Sequence, residues 1–365
     1  LAISERLHQL RNRLPEHSID AIIINRPENL RYLSGFSGTE AFLFISAGDA
    51  ILATDFRYVE QARAQATDFH VVQIKGEIGH WFSEFALGLK VRRLGFESLE
   101  MRFAGYQELQ TAIEQMPSAA QPQLIPSRGL VESLRAIKEQ GEIKLLEEAA
   151  ALADAAMEQM LSKVQPGMRE RQVAWELERF LRERGSEPIP FELIVASGAN
   201  SALPHAQPTE RPIRPDEPVV IDIGAQLGGY CSDLSRTICL GEPDQTLARI
   251  YEIALEAQLA AVEAIAAGMS GEQVDHIARD VIEQAGYGEA FGHGLGHGVG
   301  LAPHEQPRLG PGSKDILAEG MVFTIEPGIY IKGWGGVRVE DMVVLEKGNV
   351  RLLTKAKKAL RREDA

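Results

Sequence analysis

Two pairs of acidic residues, each set in strand-like and otherwise apolar runs, are the side chains of this sequence best placed to do chemistry. The first pair lies in Val219-Val220-Ile221-Asp222-Ile223-Gly224 and in Cys231-Ser232-Asp233-Leu234-Ser235-Arg236-Thr237. These runs flank Gln226-Leu227-Gly228-Gly229, which reads as a hairpin closed by a two-residue turn at Leu227-Gly228. Pairing 226 with 229 then sets Asp222 directly opposite Asp233 on one face. Carboxylates held ~5 Å apart at Cβ repel unless one is protonated or a cation lies between them. Two aspartates on a solvated face, or a register slipped by one residue, is the structural alternative.

The second pair repeats the theme. Met321-Val322-Phe323-Thr324-Ile325-Glu326-Pro327-Gly328 and Gly336-Val337-Arg338-Val339-Glu340-Asp341 read as neighbouring strands around Lys332-Gly333-Trp334-Gly335. Period two puts Thr324, Glu326 and Gly328 on one face, and Arg338 and Glu340 on one face of the partner. Glutamates among such neighbours are costly to bury unpaired. An ion pair with Arg338 satisfies one of them but hardly both along with the two aspartates. Between the pairs lies Phe291-Gly292-His293-Gly294-Leu295-Gly296-His297-Gly298-Val299-Gly300, which fits neither G-x-G-x-x-G nor a P-loop. Its glycines let the backbone come close to a site and aim His293 or His297 into it. Four carboxylates and an imidazole form an oxygen-rich set suited to divalent ions such as Mn²⁺ or Co²⁺, and two ions about 3.5–4 Å apart would share bridging carboxylates. Neither H-E-x-x-H nor G-x-S-x-G occurs, and Cys231 lacks zinc-type neighbours, so it reads as packing.

The elements that must position these residues show a faint repeat. Gly167-Met168, Gln172-Val173 and Gly185 recur as Gly268-Met269, Gln273-Val274 and Gly286, at an offset of 101, each spanning an amphipathic helix. Pro204-His205 and Pro303-His304 follow at an offset of 99, and each is followed by one of the acidic strand pairs. Two similar α+β halves that pool their ligands between them account for this order. Upstream, strands at 21–24, 41–45 and 50–54 alternate with helices at 5–14, 58–62 and 101–115, which describes an α/β domain. Residues 117–129 have linker composition, and a helical pattern with a kink expected at Gly141 runs over 131–164. The expected division is therefore an α/β domain at 1–127 and an α+β domain at 128–365 that opens with helix 131–164.

The composition limits the function classes. A net charge of −14 with no basic cluster disfavours nucleic acid and anionic membrane surfaces as partners. No apolar run approaches the length of a membrane span, and Leu1-Ala2-Ile3-Ser4-Glu5-Arg6 lacks the apolar core of a signal peptide. The two cysteines, Cys231 and Cys239, are too far apart along one strand-like segment to bridge without a turn, which favours a reduced, cytoplasmic protein.

Asp222, Asp233 ten intervening residues later, His297 in Gly-His-Gly, Glu326 in Glu-Pro-Gly and Glu340 in Arg-x-Glu-Asp together resemble the metallopeptidases of the pita-bread fold. That group includes methionine aminopeptidase, aminopeptidase P and prolidase. Asn29-Leu30-Arg31-Tyr32-Leu33-Ser34-Gly35-Phe36, Thr54-Asp55-Phe56-Arg57-Tyr58 and Leu134-Arg135-Ala136-Ile137-Lys138 are similar to the creatinase/prolidase-type N-terminal domain and its junction, which narrows the resemblance to the Xaa-Pro peptidases. The resemblance implies a pita-bread catalytic domain with an internal pseudo-twofold duplication. It also implies two divalent metal ions, Mn first with Co or Zn as alternatives, acting on proline-containing di- or short peptides. Asp222 would bind one ion and His297 the other, Asp233 and Glu340 would bridge, and Glu326 would both ligate and exchange protons. His205 and His304 would face the substrate carbonyl, His293 would line the pocket, and Arg338 would orient the ligand beside it. Arg308 is a candidate for meeting a substrate carboxylate. Prolidase is preferred over aminopeptidase P, a metal-free creatinase-like hydrolase and a non-enzymatic binding protein are the remaining readings, and relatives imply a homodimer.

Overall fold

The computed structural model describes residues 2–89 and 91–362. The chain divides into two units, Leu1–Arg135 and Ala136–Ala365. The first is built on a six-stranded sheet in the order His70–Gln73, Ala50–Thr54, Ala41–Ser46, Ala21–Ile24, Arg93–Glu97, Gln123–Ser127. Ala21–Ile24 is central and buried along its whole length, as its unbroken Ala-Ile-Ile-Ile run requires. Ile23, Phe44, Phe82 and Leu109 join one core beside it.

Three sequence expectations change here. Within 117–129, Gln123–Ser127 is a strand paired in parallel with Arg93–Glu97. It lies at the sheet edge, where Pro126 withholds no bond a further strand would need. The expected boundary after 127 moves to Arg135, because residues 128–135 are tied into the first unit. Arg13 donates to Ser133 Oγ at 2.6 Å, and Asn29 donates to Glu132 at 2.9 Å and accepts from Arg135 at 2.8 Å. The expected helix 131–164 is two helices, Glu132–Ala136 and Gln140–Lys163. It breaks at 137–139 rather than Gly141, because Ile137 bridges to Met321 and Lys138 N–H donates to Gly320 O.

In the second unit, helices Gln140–Lys163 and Glu170–Glu183 precede one set of strands, and Gln245–Ala264 and Gly271–Gln284 precede another. The second helix of each pair has 14 residues. The turn before it carries a glycine at positive φ, Gly167 (92°) or Gly268 (90°), and so does the turn after it, Gly185 (94°) or Gly286 (89°). These elements recur at the 101-residue offset. Leu177, Leu181, Val195 and Ile221 centre one core, and Val274, Ala278, Phe323 and Val343 the other.

The strands after the first helix pair form a sheet in the order Leu234–Ile238, Val219–Ile223, Ile194–Ser197. Those after the second form Glu305–Leu309, Gly296–Gly298, Val322–Ile325, Asp341–Glu346, Asn349–Leu352, with Gly328–Ile331 and Gly335–Arg338 continuing two of them. Thr237 Oγ1 joins the two sets by accepting from Arg338 N–H and donating to Arg338 O, both at 2.9 Å, while Glu340 N–H donates to Ser235 O at 3.2 Å.

Candidate metal centre

The two acidic hairpins supply most of the site. In the first, Leu227 pairs with Tyr230 and Gln226 with Cys231, so the turn is Gly228-Gly229 and not Leu227-Gly228. Both glycines have positive φ, 56° and 86°, as a type I′ turn demands and a leucine would resist. The register therefore shifts by two from the expected one, and Ser235, not Asp233, faces Asp222. A shift of two preserves the face, so the aspartates remain diagonal neighbours on it. In the second hairpin, Ile325 pairs with Asp341 and Gly328 with Arg338, a single register that sets Glu326 opposite Glu340.

The five expected ligands come together. Carboxylate oxygens of Asp222, Asp233 and Glu340 lie within 4.8 Å of one another. His297 Nε2 stands 3.2 Å from Glu326 Oε1 and 3.7 Å from Asp233 Oδ2. Its backbone is fixed by the bond from His297 N–H to Thr324 Oγ1, and Thr324 in turn donates to Glu326. Gly296 must be a glycine, since a Cβ there would lie 2.1 Å from Thr324 O. The ligands line a cavity of about 560 Å³ shared with His205, His293, His304, Arg308 and Arg338. His304 stacks on His297 with ring centroids 4.0 Å apart.

The charges are unevenly compensated. Burial, with the charges of Glu340, Asp222 and Glu326, pushes the Asp233 carboxyl well above its usual range. Burial and the charges of Glu326 and Asp222 do the same to Glu340. Burial also raises Asp222, partly offset by Arg338. Glu326 is the exception. Burial would raise it, but the hydrogen bond from His297 and the charges of His297, His293 and Arg338 prevail and hold it at about 2. His297 is correspondingly raised: burial, the largest single influence, lowers it, but the bond and charge of Glu326, the bond to Gly298 O and the charge of Asp222 together prevail. Burial and the neighbouring His297 push His304 down to about 4, and burial lowers His293.

Two buried oxygens, Asp222 Oδ1 and Glu340 Oε2, have no hydrogen-bond partner. Orphaned acceptors inside a cluster of carboxylates are what a hard divalent cation satisfies, so the donor set fits such ions.

Arg338 departs from expectation. The resemblance ties it to the glutamate beside it, but Nη2 pairs with Asp222 Oδ2 at 2.6 Å and Nε with Ser235 Oγ at 2.8 Å. Facing Gly328 across its own hairpin, it is free to reach the other one. Sequence reasoning missed Tyr330, whose hydroxyl bridges Arg338 Nη1 (2.9 Å) and His293 Nε2 (3.0 Å). The signal was present, because Tyr330 has the strand parity of Glu326 and Gly328. It also missed Asp341 beneath Glu340, where a buried carboxylate meets Arg236 at 2.8 Å and Lys358 at 2.6 Å.

The chain is similar to known proteins over nearly its whole length. Residues 144–347 match the model of metallopeptidase family M24, and residues 6–137 match the creatinase/prolidase N-terminal domain. The chain is 38% identical to the Xaa-Pro dipeptidase of Pyrococcus furiosus, covering 98% of this chain and 100% of that one. Among solved structures, an Xaa-Pro dipeptidase from Bacillus anthracis superposes with a TM-score of 0.93 at 43% identity, covering 98% of this chain and 99% of the other. An X-Pro aminopeptidase from Thermotoga maritima does so with a TM-score of 0.86 at 33% identity, at the same coverage.

Proposed function

The chain belongs to metallopeptidase family M24 and carries a creatinase/prolidase-type N-terminal domain, and from that premise we propose that it hydrolyses the bond between an N-terminal residue and proline, preferring dipeptides. The observation that carries the reading is the convergence of four carboxylates and His297 around two orphaned carboxylate oxygens, in a cavity also lined by His205 and His304. Asp222, Asp233, His297, Glu326 and Glu340 would hold two divalent ions, with Mn²⁺ the first choice for so oxygen-rich a set. When bound, such ions lower the pKa of a water and polarise the scissile carbonyl. Asp233 and Glu340 are the two carboxylates left facing other carboxylates, so a bound cation would relieve them most.

The protein groups do the rest. Glu326 takes the proton of the attacking water and passes it to the departing proline nitrogen. His304, held neutral, donates an N–H to the oxygen that becomes negative as water adds, and His205 faces the same atom. Tyr330 couples His293 to Arg338, so the pocket wall and the Asp222 carboxylate are oriented by one chain of bonds.

The preference for dipeptides rests on Arg308. Its guanidinium lines the cavity and makes no ion pair among the described residues, so it is available to the C-terminal carboxylate of a bound Xaa-Pro. Hydrolysis of Ala-Pro and Ala-Pro-Ala by the Mn²⁺-reconstituted protein tests the whole reading. Faster turnover of Ala-Pro is expected, with Arg308→Met raising KM for Ala-Pro ~10-fold and leaving Ala-Pro-Ala unchanged. Cleavage of neither peptide would overturn it, and preference for Ala-Pro-Ala would favour the aminopeptidase alternative. Cytoplasmic residence is inferred from the scarcity of cysteine, two in 365 residues, and no described helix is long and apolar enough to cross a membrane. The homodimer implied by relatives is tested by light scattering.

A further inference from the structure

Glu170 is the first residue of helix Glu170–Glu183 and is fully buried, yet it faces the loop before the first acidic hairpin rather than a cation. Its Oε1 accepts from Ser197 N–H at 2.7 Å and Ser197 Oγ at 2.7 Å. Its Oε2 accepts from Thr209 N–H at 3.0 Å and Thr209 Oγ1 at 2.6 Å. Asn200 Nδ2 reaches both oxygens, at 3.2 and 3.1 Å. One carboxylate therefore grips both ends of segment 197–209.

His205 lies between those ends. Little apolar packing holds the segment: Leu203 is 60% exposed, and only Ala206 joins a small buried cluster, with Ile194 and Ala196. Further polar ties come from the hairpin of the second half, where Arg338 Nη1 donates to Pro204 O at 3.2 Å and Gly336 N–H donates to Ser201 Oγ at 2.8 Å. Others come from the first half, where Gly198 N–H donates to Pro218 O at 2.8 Å, Arg211 Nη1 to Ser197 Oγ at 2.5 Å, Gln207 Nε2 to Glu192 at 2.9 Å and Arg171 N–H to Thr209 O at 3.0 Å. Of these groups only Glu170 holds both ends with one side chain. The helix of the second half carries a comparable device. Buried Asp275 accepts from Leu295 N–H at 3.0 Å and pairs with Arg279, which donates to Phe291 O and His293 O, both at 2.8 Å. Each half thus has a helix-borne, buried carboxylate acting on the loop that brings an imidazole to the cavity.

We propose that Glu170 is a positioning residue that closes segment 197–209 at its neck and so holds His205 against the substrate carbonyl. It touches neither substrate nor any of the expected ligands, and it acts through the segment's backbone. The inference rests on the role given to His205 above. Misplacing a catalytic group by about 1 Å is enough to cost up to ~100-fold in rate, so the effect belongs on kcat.

The test is a double-mutant cycle on the Mn²⁺-loaded protein with Ala-Pro, combined with hydrogen exchange. Glu170→Gln is expected to lower kcat roughly 10- to 100-fold with KM changed less than about threefold. It should raise amide exchange within 197–209 and leave the ligand strands protected. In a His205→Ala background the same substitution should lower kcat no further. Thr209→Val, which removes a single hydroxyl donor, should act in the same direction with a smaller effect and keeps the test open if Glu170→Gln fails to fold. Equal losses in the two backgrounds, or unaltered exchange at 197–209, would overturn the proposal. Full activity of His205→Ala would overturn it by removing the role of His205, a failure distinct from that of the tie. If the wild-type protein cleaves neither peptide, the function fails while exchange still decides whether Glu170 closes the segment.

Discussion

The two acid-bearing hairpins of the second unit share a plan but compensate their charges differently. In the first, Asp222 faces Ser235 and meets Arg338 at 2.6 Å, while Asp233, diagonal to it, has only His297 Nε2 at 3.7 Å, beyond hydrogen-bond reach. In the second, Glu326 meets His297, while Glu340, directly opposite, faces carboxylates. Each hairpin thus contributes one carboxylate neutralised by the protein and one that is not. The uncompensated pair, Asp233 and Glu340, comes from different hairpins and lies nearly fully buried, at 5% and 1% exposure. A protein selected only for stability would not bury two such groups, which identifies the space between the hairpins as the place where binding energy is spent.

The comparison breaks most sharply if the uncompensated residues are dispensable. Asp233→Ala and Glu340→Ala are each expected to lower kcat by roughly 10³-fold or more and to reduce bound metal, read by metal analysis beside the Ala-Pro assay. Stability should move in opposite directions at the two kinds of site. Asp222→Asn strips the buried Arg338 guanidinium of its ion pair and should destabilise the metal-free protein by about 3–5 kcal/mol. Asp233→Asn removes a repelled carboxylate and should raise the metal-free Tm by roughly 3 °C, at about 2–4 °C per kcal/mol. Calorimetry that found both variants destabilised alike would end the distinction.

A smaller effect follows from pH. The folded-state pKa values of Asp233 and Glu340 lie above their unfolded ones, so their protonated forms are favoured by folding. Metal-free stability should be fullest below the ordinary carboxylate pKa values of 3.8 and 4.5 and decline as pH rises through the raised range. Bound divalent ions should reverse this trend, because protons and cation compete for the same oxygens. Tm measured from pH 5 to 8 with EDTA and with Mn²⁺ should therefore give slopes of opposite sign.

Much of the site was legible before the fold. Strand parity alone puts Asp222 with Asp233 and Glu326 with Arg338 and Glu340, because alternation is a property of the local chain. It survived an error of two residues in the first hairpin, where the turn chose Gly228-Gly229, since an even slip leaves every side chain on its face. Local pattern misled where a partner overrode it. Pro126 sits in a strand, and a helical run is cut at 137–139 because its backbone groups bond to Gly320 and bridge to Met321.

The sequence by itself determined the donor set, its approximate spacing and the faces that carry it, all encoded within a few residues of one another. Tertiary structure decided which charges are matched: Arg338 crossed to Asp222 over 116 positions, and Glu170 closed on Ser197 and Thr209 over 27 and 39. Periodicity fixes the direction in which a side chain points. Which group it meets depends on how separate strands and loops pack, and that is settled only when the whole core forms.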